Sequence, residues 1–230
     1  MATATRELTF LLAEPERRLL RGIARLIPLR VNSNHLTALG VVGAAGTGAA
    51  YALSGLDIRW LWAASLMLAV NWFGDSLDGT LARVRKAERP RYGYYLDHIV
   101  DAFATAAIGV GIGLSPFVSL PVALVLVVLY LTLSINVYLE SHVFGVFKLA
   151  YGKIGPTEAR IILIVVNSLL VLVPHARGIP ARIVPVLGNS LAVLLAVGMA
   201  VTLAVRFGKN LSRLARLEPR KRVARAASVG

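Results

Sequence analysis

The sequence predicts an all-α, polytopic membrane protein with six transmembrane helices and an N-terminal interfacial amphipathic helix. Of its 230 residues, 57% are hydrophobic and the mean hydropathy is +0.69, whereas a soluble domain of this length would carry more polar surface. Six stretches are long and apolar enough to cross a bilayer. The formal net charge of +13 comes largely from the segments that flank these stretches, as expected for a membrane protein.

Each predicted element follows from its apolar pattern. Residues 5–30 combine Leu and Ile with arginines at helical spacing, which is typical of an amphipathic helix lying in the membrane interface. The six predicted spans are residues 36–55, 59–78, 94–115, 118–139, 159–174 and 183–206. The chain therefore divides into a cytoplasmic helix and lead-in (1–33), a six-helix membrane domain that carries the candidate site (34–207) and a basic cytoplasmic tail (208–230).

The distribution of Lys and Arg predicts the orientation. With six spans, 22 of these residues fall on one side of the membrane and three on the other. Because positive charge is retained on the cytoplasmic side, both termini are predicted to be cytoplasmic, and in a bacterium the membrane would be the inner membrane. The apolar content favours anionic lipids over nucleic acid as the partner of the basic segments. The absence of cysteine excludes disulfides and thiolate metal sites.

Four aspartates form the candidate site at the cytoplasmic ends of the second and third spans. Asp75 and Asp78 are three residues apart and Asp97 and Asp101 four apart, so each pair lies on one face of its helix. Two successive spans run antiparallel, so the two faces can meet. Clustered carboxylates repel one another, and oxygen ligands suit Mg²⁺ or Mn²⁺, so the sequence predicts a site for divalent cations, with two ions matching the charge.

Two other interpretations of the aspartates remain open at this stage. They could form interfacial salt bridges with Arg83, Arg85 and Lys86, although four aspartates on adjacent spans exceed what such pairs need. A cation transporter or channel could use the same carboxylates, but it would carry acidic residues along the depth of its spans. Here they cluster at one end, beside a basic loop suited to phosphates, which favours an enzyme.

The segment that holds the aspartates resembles a known signature. Residues 75–101 read DSLDGTLARVRKAERPRYGYYLDHIVD. This is similar to the D-x-x-D-G-x-x-A-R … G-x-x-x-D-x-x-x-D motif of CDP-alcohol phosphotransferases, with a nine-residue spacer, the less usual length. VNSNHLT before the first span is similar to the P-N-x-x-T segment of that family. The resemblance extends over the six-span layout and the N-terminal helix.

The resemblance implies an enzyme of phospholipid biosynthesis that moves a substituted phosphate group from a CDP-alcohol to an acceptor alcohol and releases CMP. One of the two alcohols would be a lipid. By resemblance, Asp75, Asp78, Asp97 and Asp101 hold two Mg²⁺ or Mn²⁺ ions, and Asp101 is also the general base. The nucleotide would lie against small residues and a phosphate-binding arginine: Gly79, Ala82, Arg83 and Gly93. Asn34 would either contact the nucleotide or cap the first span.

A single residue beside Asp97 indicates which donor and acceptor alcohols the enzyme would use. His98 gives LDHIVD, similar to the DH-x-x-D of choline and ethanolamine phosphotransferases, and it is a candidate for proton handling. We therefore favour CDP-choline or CDP-ethanolamine with a lipid acceptor over CDP-diacylglycerol with a polar acceptor. Asn71, Asn136 and Glu140 are candidates for the acceptor pocket, and Glu158 marks the start of a helix. Glycine-rich first and third spans indicate close helix packing and permit a homodimer.

Overall fold

The computed structural model describes residues 12–144, 155–177 and 183–219, and side chains only to 173 within the second of these ranges. These parts of the chain form seven α-helices and no strand, which confirms the all-α prediction. The helices are α1 (Ala13–Leu26), α2 (Ser33–Leu53), α3 (Trp60–Val84), α4 (Pro90–Leu114), α5 (Leu120–Phe144), α6 (Pro156–Arg177) and α7 (Ile183–Leu217). The start of the predicted N-terminal segment and the end of the basic tail, with Lys148, Lys153 and Arg182, lie outside the described residues.

Five of the described helices are long and apolar enough to cross a membrane: α2, α4, α5, Pro156–Val173 of α6, and α7. The α3 helix is not among them, although it spans 25 residues, because Asn71, Asp75 and Asp78 lower its hydropathy. The protein is thus a helical chain with several membrane-spanning candidates, and the count of six spans stays a prediction. Side-chain contacts nevertheless place the starts of α2, α4 and α6 beside the ends of α3, α5 and α7, which is the alternation that six spans require.

The α2 helix forms the centre of the bundle and packs most extensively against α3 and then α4. Glycines make these close crossings possible. A Cβ built on Gly74 of α3 would lie 2.7 Å from the Cα of Gly40, and one built on Gly111 of α4 would lie 2.7 Å from the carbonyl carbon of Gly48. No side chain fits at either crossing, so Gly40, Gly48 and Gly111 of the spans predicted to pack through glycine, together with Gly74, bring the backbones together here.

The α1 helix lies along α3. Its Leu20 and Ala24 are buried with Leu77 and Leu81 of α3, while four arginines of the helix are exposed: Arg17, Arg18, Arg21 and Arg25. Glu16 ties the helix in place, because one carboxylate oxygen accepts hydrogen bonds from Trp72 (2.6 Å), Ser76 (3.2 Å) and Thr157 (2.8 Å). Its location at a membrane interface stays a prediction.

The last helix is longer than the sequence predicted. The predicted span ends at 206 and the tail begins at 208, but α7 continues to Leu217. The reason is a polar cluster between α5 and α7. Glu140 accepts hydrogen bonds from Arg206, from Asn210 (2.6 Å) and from Asn136 on its own helix (2.6 Å), and Arg213 lies over the Phe144 ring at 4.2 Å. These contacts hold the basic segment against α5 and keep it helical.

Candidate active site

The four aspartates meet at one end of the bundle, where α3 ends and α4 begins. The Asp101 carboxylate lies close enough to Asp75, Asp78 and Asp97 to interact electrostatically with all three. Asp78 also interacts in this way with Asp75 and Asp97. The expectation that the two helix faces meet therefore agrees with the structure.

Asp78 is held by its neighbours on both oxygens. Its Oδ2 accepts a hydrogen bond of 2.6 Å from the Thr37 hydroxyl on α2, and its Oδ1 accepts one from the Gly79 backbone N–H. The Ser33 hydroxyl donates to the Asp78 backbone carbonyl at 2.9 Å. The start of α2 is thereby fastened to the candidate site, with Thr37 almost fully buried.

Asp75 pairs with an arginine from the distant α6 helix. Arg160 Nη2 lies 2.8 Å from Asp75 Oδ2, and Arg160 Nε donates to Asn71 Oδ1 at 2.9 Å. The other two aspartates lie on α4. Asp97 is about half exposed, with 49% of its side chain accessible, whereas Asp101 is half-buried.

His98 packs between aromatic rings. Its ring centroid lies 4.1 Å from that of Tyr94 and 4.3 Å from that of Tyr138 on α5. Its Nδ1 lies 2.7 Å from the Tyr94 carbonyl oxygen, and because that oxygen can only accept, a hydrogen bond between the two requires the proton on Nδ1. The same nitrogen lies 3.6 Å from Asp97 Oδ2. Any proton transfer by His98 would therefore have to use Nε2.

Two glycines of the motif have room for a side chain beside them. A Cβ built on Gly93 would meet no atom within 4 Å, and for one built on Gly79 the three nearest atoms belong to the Arg83 guanidinium, the closest at 3.3 Å. Arg83 donates to Thr80 at 3.0 Å, and Ala82 is half-buried on the same turn. Unlike Gly74, Gly79 and Gly93 are not required for helix packing.

Asn34 does not cap the first membrane helix, so that part of the prediction is wrong. Asn32 is the N-cap, and it forms a capping box in which its side chain accepts from the His35 N–H at 3.1 Å and His35 Nδ1 accepts in return. Asn34 lies inside α2 and reaches α4, where it donates to the Tyr92 hydroxyl (3.3 Å) and accepts from Arg89 (3.1 Å). It thus lies at the mouth of the site.

The other polar candidates have partners within the fold. Asn71 donates to the Gly40 carbonyl and accepts from Arg160. Glu140 accepts hydrogen bonds from Arg206 and Asn210 of α7. Glu158 accepts from the backbone N–H of Gly155 at 2.9 Å and of Leu12 at 2.8 Å, which agrees with its interpretation as a helix start. Arg85 was a candidate for a salt bridge with the aspartates. Its guanidinium instead donates hydrogen bonds to the carbonyls of three residues before α2: Ile27, Pro28 and Val31.

Two residues of the site were missed by sequence reasoning. Thr37 belongs to the VNSNHLT segment that resembled the family, so the spacing of that segment could have identified it. In the sequence, Arg160 is only one of the 22 positive charges assigned to the cytoplasmic side, and no local pattern links it to Asp75, 85 residues earlier in the chain.

As the side chains are placed, no three His, Cys, Asp or Glu groups of the described ranges surround a common point where a metal ion could bind. Arg160 engages Asp75, and Thr37 and Gly79 engage Asp78. The chemistry of the donors nevertheless fits a hard divalent cation, because four carboxylates on two facing helices offer only oxygen ligands.

These features define a helical membrane-protein class with a carboxylate cluster at one end of the bundle. The chain matches the CDP-alcohol phosphatidyltransferase family over residues 30–207, which is most of its length, and it belongs to that family. Members of the family are transferases that move a phosphate-linked group from a CDP-alcohol in phospholipid synthesis. A search of curated proteins found no significant match.

Proposed function

We propose that this protein transfers a substituted phosphate group from a CDP-alcohol to the hydroxyl of an acceptor alcohol, with release of CMP, at the cytoplasmic face of the membrane. The observation that carries the proposal is the meeting of Asp75, Asp78, Asp97 and Asp101 where α3 ends and α4 begins. The family supplies the reaction class, and the four carboxylates supply a place for it.

The proposed reaction is a displacement at the β-phosphorus of the CDP-alcohol. The acceptor hydroxyl attacks this phosphorus, a new O–P bond forms, and the bond to the oxygen of CMP breaks. CMP leaves with the bonding electrons. Asp101, as general base, takes the proton of the attacking hydroxyl, because an alcohol with a pKa near 15 needs a base at the point of attack.

Divalent cations are proposed as the cofactor, two Mg²⁺ or Mn²⁺ ions, which Asp75, Asp78, Asp97 and Asp101 would hold. When bound, the cations would neutralise charge that develops on the phosphoryl oxygens and on the leaving CMP. Thr37 orients Asp78 for this role through its hydrogen bond.

The nucleotide is proposed to lie in the open space beside Gly79, Ala82 and Gly93, with the Arg83 guanidinium toward phosphate. The free volume around Gly93 supports this placement, because a packing glycine would have close neighbours. Asn34, with Tyr92 and Arg89, borders the same opening from α2.

The cytoplasmic assignment rests on the basic residues around this end of the bundle. Arg83, Arg85, Arg89 and Arg91 lie in or beside the α3–α4 connection, within the segment that the charge count assigns to the cytoplasm. A cytoplasmic site also has direct access to a water-soluble nucleotide. The basic segments would contact anionic lipid headgroups.

For the substrates, we propose CDP-choline or CDP-ethanolamine as donor and a lipid alcohol as acceptor, on the likeness of LDHIVD to the amino-alcohol branch. The alternative is CDP-diacylglycerol with a polar acceptor. Purified protein offered each of the three donors in turn, with both acceptor classes, distinguishes them by CMP release. Activity with CDP-diacylglycerol alone would refute the amino-alcohol assignment and leave the reaction class intact.

A cation transporter is the competing function, and the sequence opposes it. Apart from the four aspartates, the segments that form α2–α7 contain only Glu140 and Glu158 as acidic residues, both near the same end. A transport pathway needs ligands at depth on both sides of the midplane.

The general base is tested by Asp101→Asn. Loss of the base should lower the rate of CMP release by about 10²–10⁴-fold. Thermal unfolding should remain close to that of the unmodified protein, because the amide has nearly the same size. Full activity in this variant would show that Asp101 is not the base.

A further inference from the structure

Arg160 is a cation built into the aspartate cluster. It lies in the second turn of α6 and reaches across to α3, where it contacts Asp75 at 2.8 Å and Asn71 at 2.9 Å. Only 14% of its side chain is exposed. It also interacts electrostatically with Asp101. A single guanidinium thus faces carboxylates of both α3 and α4.

The position of Arg160 does not depend on Asp75 alone. Asn71 accepts from the Arg160 Nε and, with its own amide group, donates to the Gly40 carbonyl at 2.9 Å. Asn71 is buried, and its contacts run from α2 through α3 to α6. The guanidinium is therefore aimed at Asp75 by the backbone of the bundle, and Asp75 is the partner that can be exchanged.

A buried group of carboxylates is stable only with compensating positive charge. Without it, the aspartates repel one another or must be protonated. Arg160 supplies one such charge at the oxygen of Asp75 that a divalent cation would also need. A divalent cation and a guanidinium near the same carboxylate repel each other, so each weakens the binding of the other.

We propose that Arg160 is the internal counter-charge of the aspartate cluster: it holds Asp75 when no divalent cation is bound, and a cation binds in competition with it. This inference rests on the cation role in the proposed function. Arg160 thereby stabilises the cation-free bundle and lowers the affinity of the site for the cation. Arg160 is a positioning residue, because it acts on the reaction through Asp75.

The direction in which cation affinity changes when Arg160 is removed distinguishes this role from simple attachment of α6 to α3. If Arg160 only held the helices together, its removal would disorder the site and weaken cation binding. If it is the counter-charge, its removal strengthens cation binding while the cation-free protein loses stability. Only the counter-charge role predicts that cation affinity rises while the stability of the cation-free protein falls.

The experiment uses the full chain purified in detergent, with Mn²⁺ as the probe. Free Mn²⁺ is measured by electron paramagnetic resonance during a titration, and thermal unfolding is recorded in EDTA and in saturating Mn²⁺. For Arg160→Gln we expect a Kd for Mn²⁺ lower by about tenfold or more, because a Coulomb repulsion close to a divalent cation is removed. We also expect a lower Tm in EDTA and a wider gap between the two Tm values.

Two further variants control for charge and for folding. Arg160→Lys keeps the charge, so its Kd for Mn²⁺ should stay within about threefold of the unmodified protein, as expected when the charge near the cation is unchanged. Arg206→Gln removes an arginine of similar exposure that pairs with Glu140 between α5 and α7. It should lower the Tm by the same amount in EDTA and in Mn²⁺, with no change in Kd.

An unchanged or higher Kd for Mn²⁺ in Arg160→Gln overturns the proposal. If that variant does not fold, Arg160→Lys decides, and a tenfold change in its Kd in either direction overturns the proposal. Absence of Mn²⁺ binding to the unmodified protein would refute the cation role itself, and the counter-charge proposal with it. Binding without the competition would refute only the role of Arg160.

Discussion

Replacing Thr37 by valine removes one hydroxyl group from the candidate site and almost nothing else. The side chain is buried on α2, its Oγ1 lies 2.6 Å from Asp78 Oδ2, and valine has the same branched shape. The substitution therefore leaves the packing of α2 against α3 in place. It removes the hydrogen bond that fixes the direction of one proposed cation ligand, together with the 3.1 Å contact of the same hydroxyl with the Ser33 carbonyl of its own helix.

The size of the effect follows from the charge of the acceptor. A hydrogen bond to an ionised group contributes about 1.5–3 kcal/mol. Loss of a group that orients a metal ligand typically lowers metal affinity or activity about 10–100-fold. Asp78 keeps its contact with the Gly79 N–H, so we place the expected loss within this range and not above it. The Kd for Mn²⁺ should rise by this factor.

The assay is a Mn²⁺ titration of CMP release at saturating donor and acceptor, combined with direct binding of Mn²⁺. In Thr37→Val the half-saturating Mn²⁺ concentration should rise, and the rate at saturating Mn²⁺ should recover most of its original value. The recovery is expected because excess cation restores the orientation of Asp78 that the hydroxyl group no longer provides.

Thr47→Val is the matched control. Thr47 is also buried on α2, but its hydroxyl donates to the Gly43 carbonyl of its own helix at 2.8 Å, away from the aspartates. This variant should have the Mn²⁺ dependence of the unmodified protein. Equal Mn²⁺ dependence in both variants would refute the argument that Thr37 acts through Asp78.

Two further predictions concern packing. Gly74→Ala places a methyl group against Gly40 and should destabilise the protein by about 1–3 kcal/mol. Gly93→Ala should raise the KM for the CDP-alcohol. It should leave the Tm unchanged or higher, because alanine favours a helix over glycine by about 1 kcal/mol. Thermal unfolding and donor titrations separate the two, and a fall in stability in Gly93→Ala would contradict the open space beside it. Glu16→Ala should speed tryptic cleavage within α1, because three donors on α3 and α6 lose their acceptor; Glu14→Ala, in an exposed pair with Arg18, should not.

Much of the fold could be predicted because apolar length and helical spacing are local properties of the sequence. Span boundaries agree with the helices within about six residues at most ends, as is usual for such boundaries. The largest difference is at α7, which continues to Leu217. Hydropathy ends that helix where charges begin, whereas its real extent depends on Glu140, more than 60 residues earlier.

The same distinction holds for the site. The spacing of Asp75, Asp78, Asp97 and Asp101 is local on each helix, so their meeting could be inferred from two antiparallel spans. The assignment of Asn34 as a cap failed because Asn32, two residues earlier, competes for that position and has the His35 side chain as its reciprocal partner. Arg160 could not be found, because its relation to Asp75 exists only once α6 packs on α3.

The alternation of helix direction explains why this chemistry can be assembled from distant parts of the chain. Thr37 lies in the second turn of α2, Asp75 and Asp78 in the last three turns of α3, Asp97 and Asp101 in the first half of α4, and Arg160 in the second turn of α6. All of them lie in the half of their helix that the charge count assigns to the cytoplasmic side, and a charge there costs less than one at the centre of a span. In the proposed function, the carboxylate cluster in this position would be reached by nucleotide and cation from the water and by the lipid alcohol from the bilayer. A reaction that joins a soluble and a lipid alcohol through one phosphate requires access of both kinds.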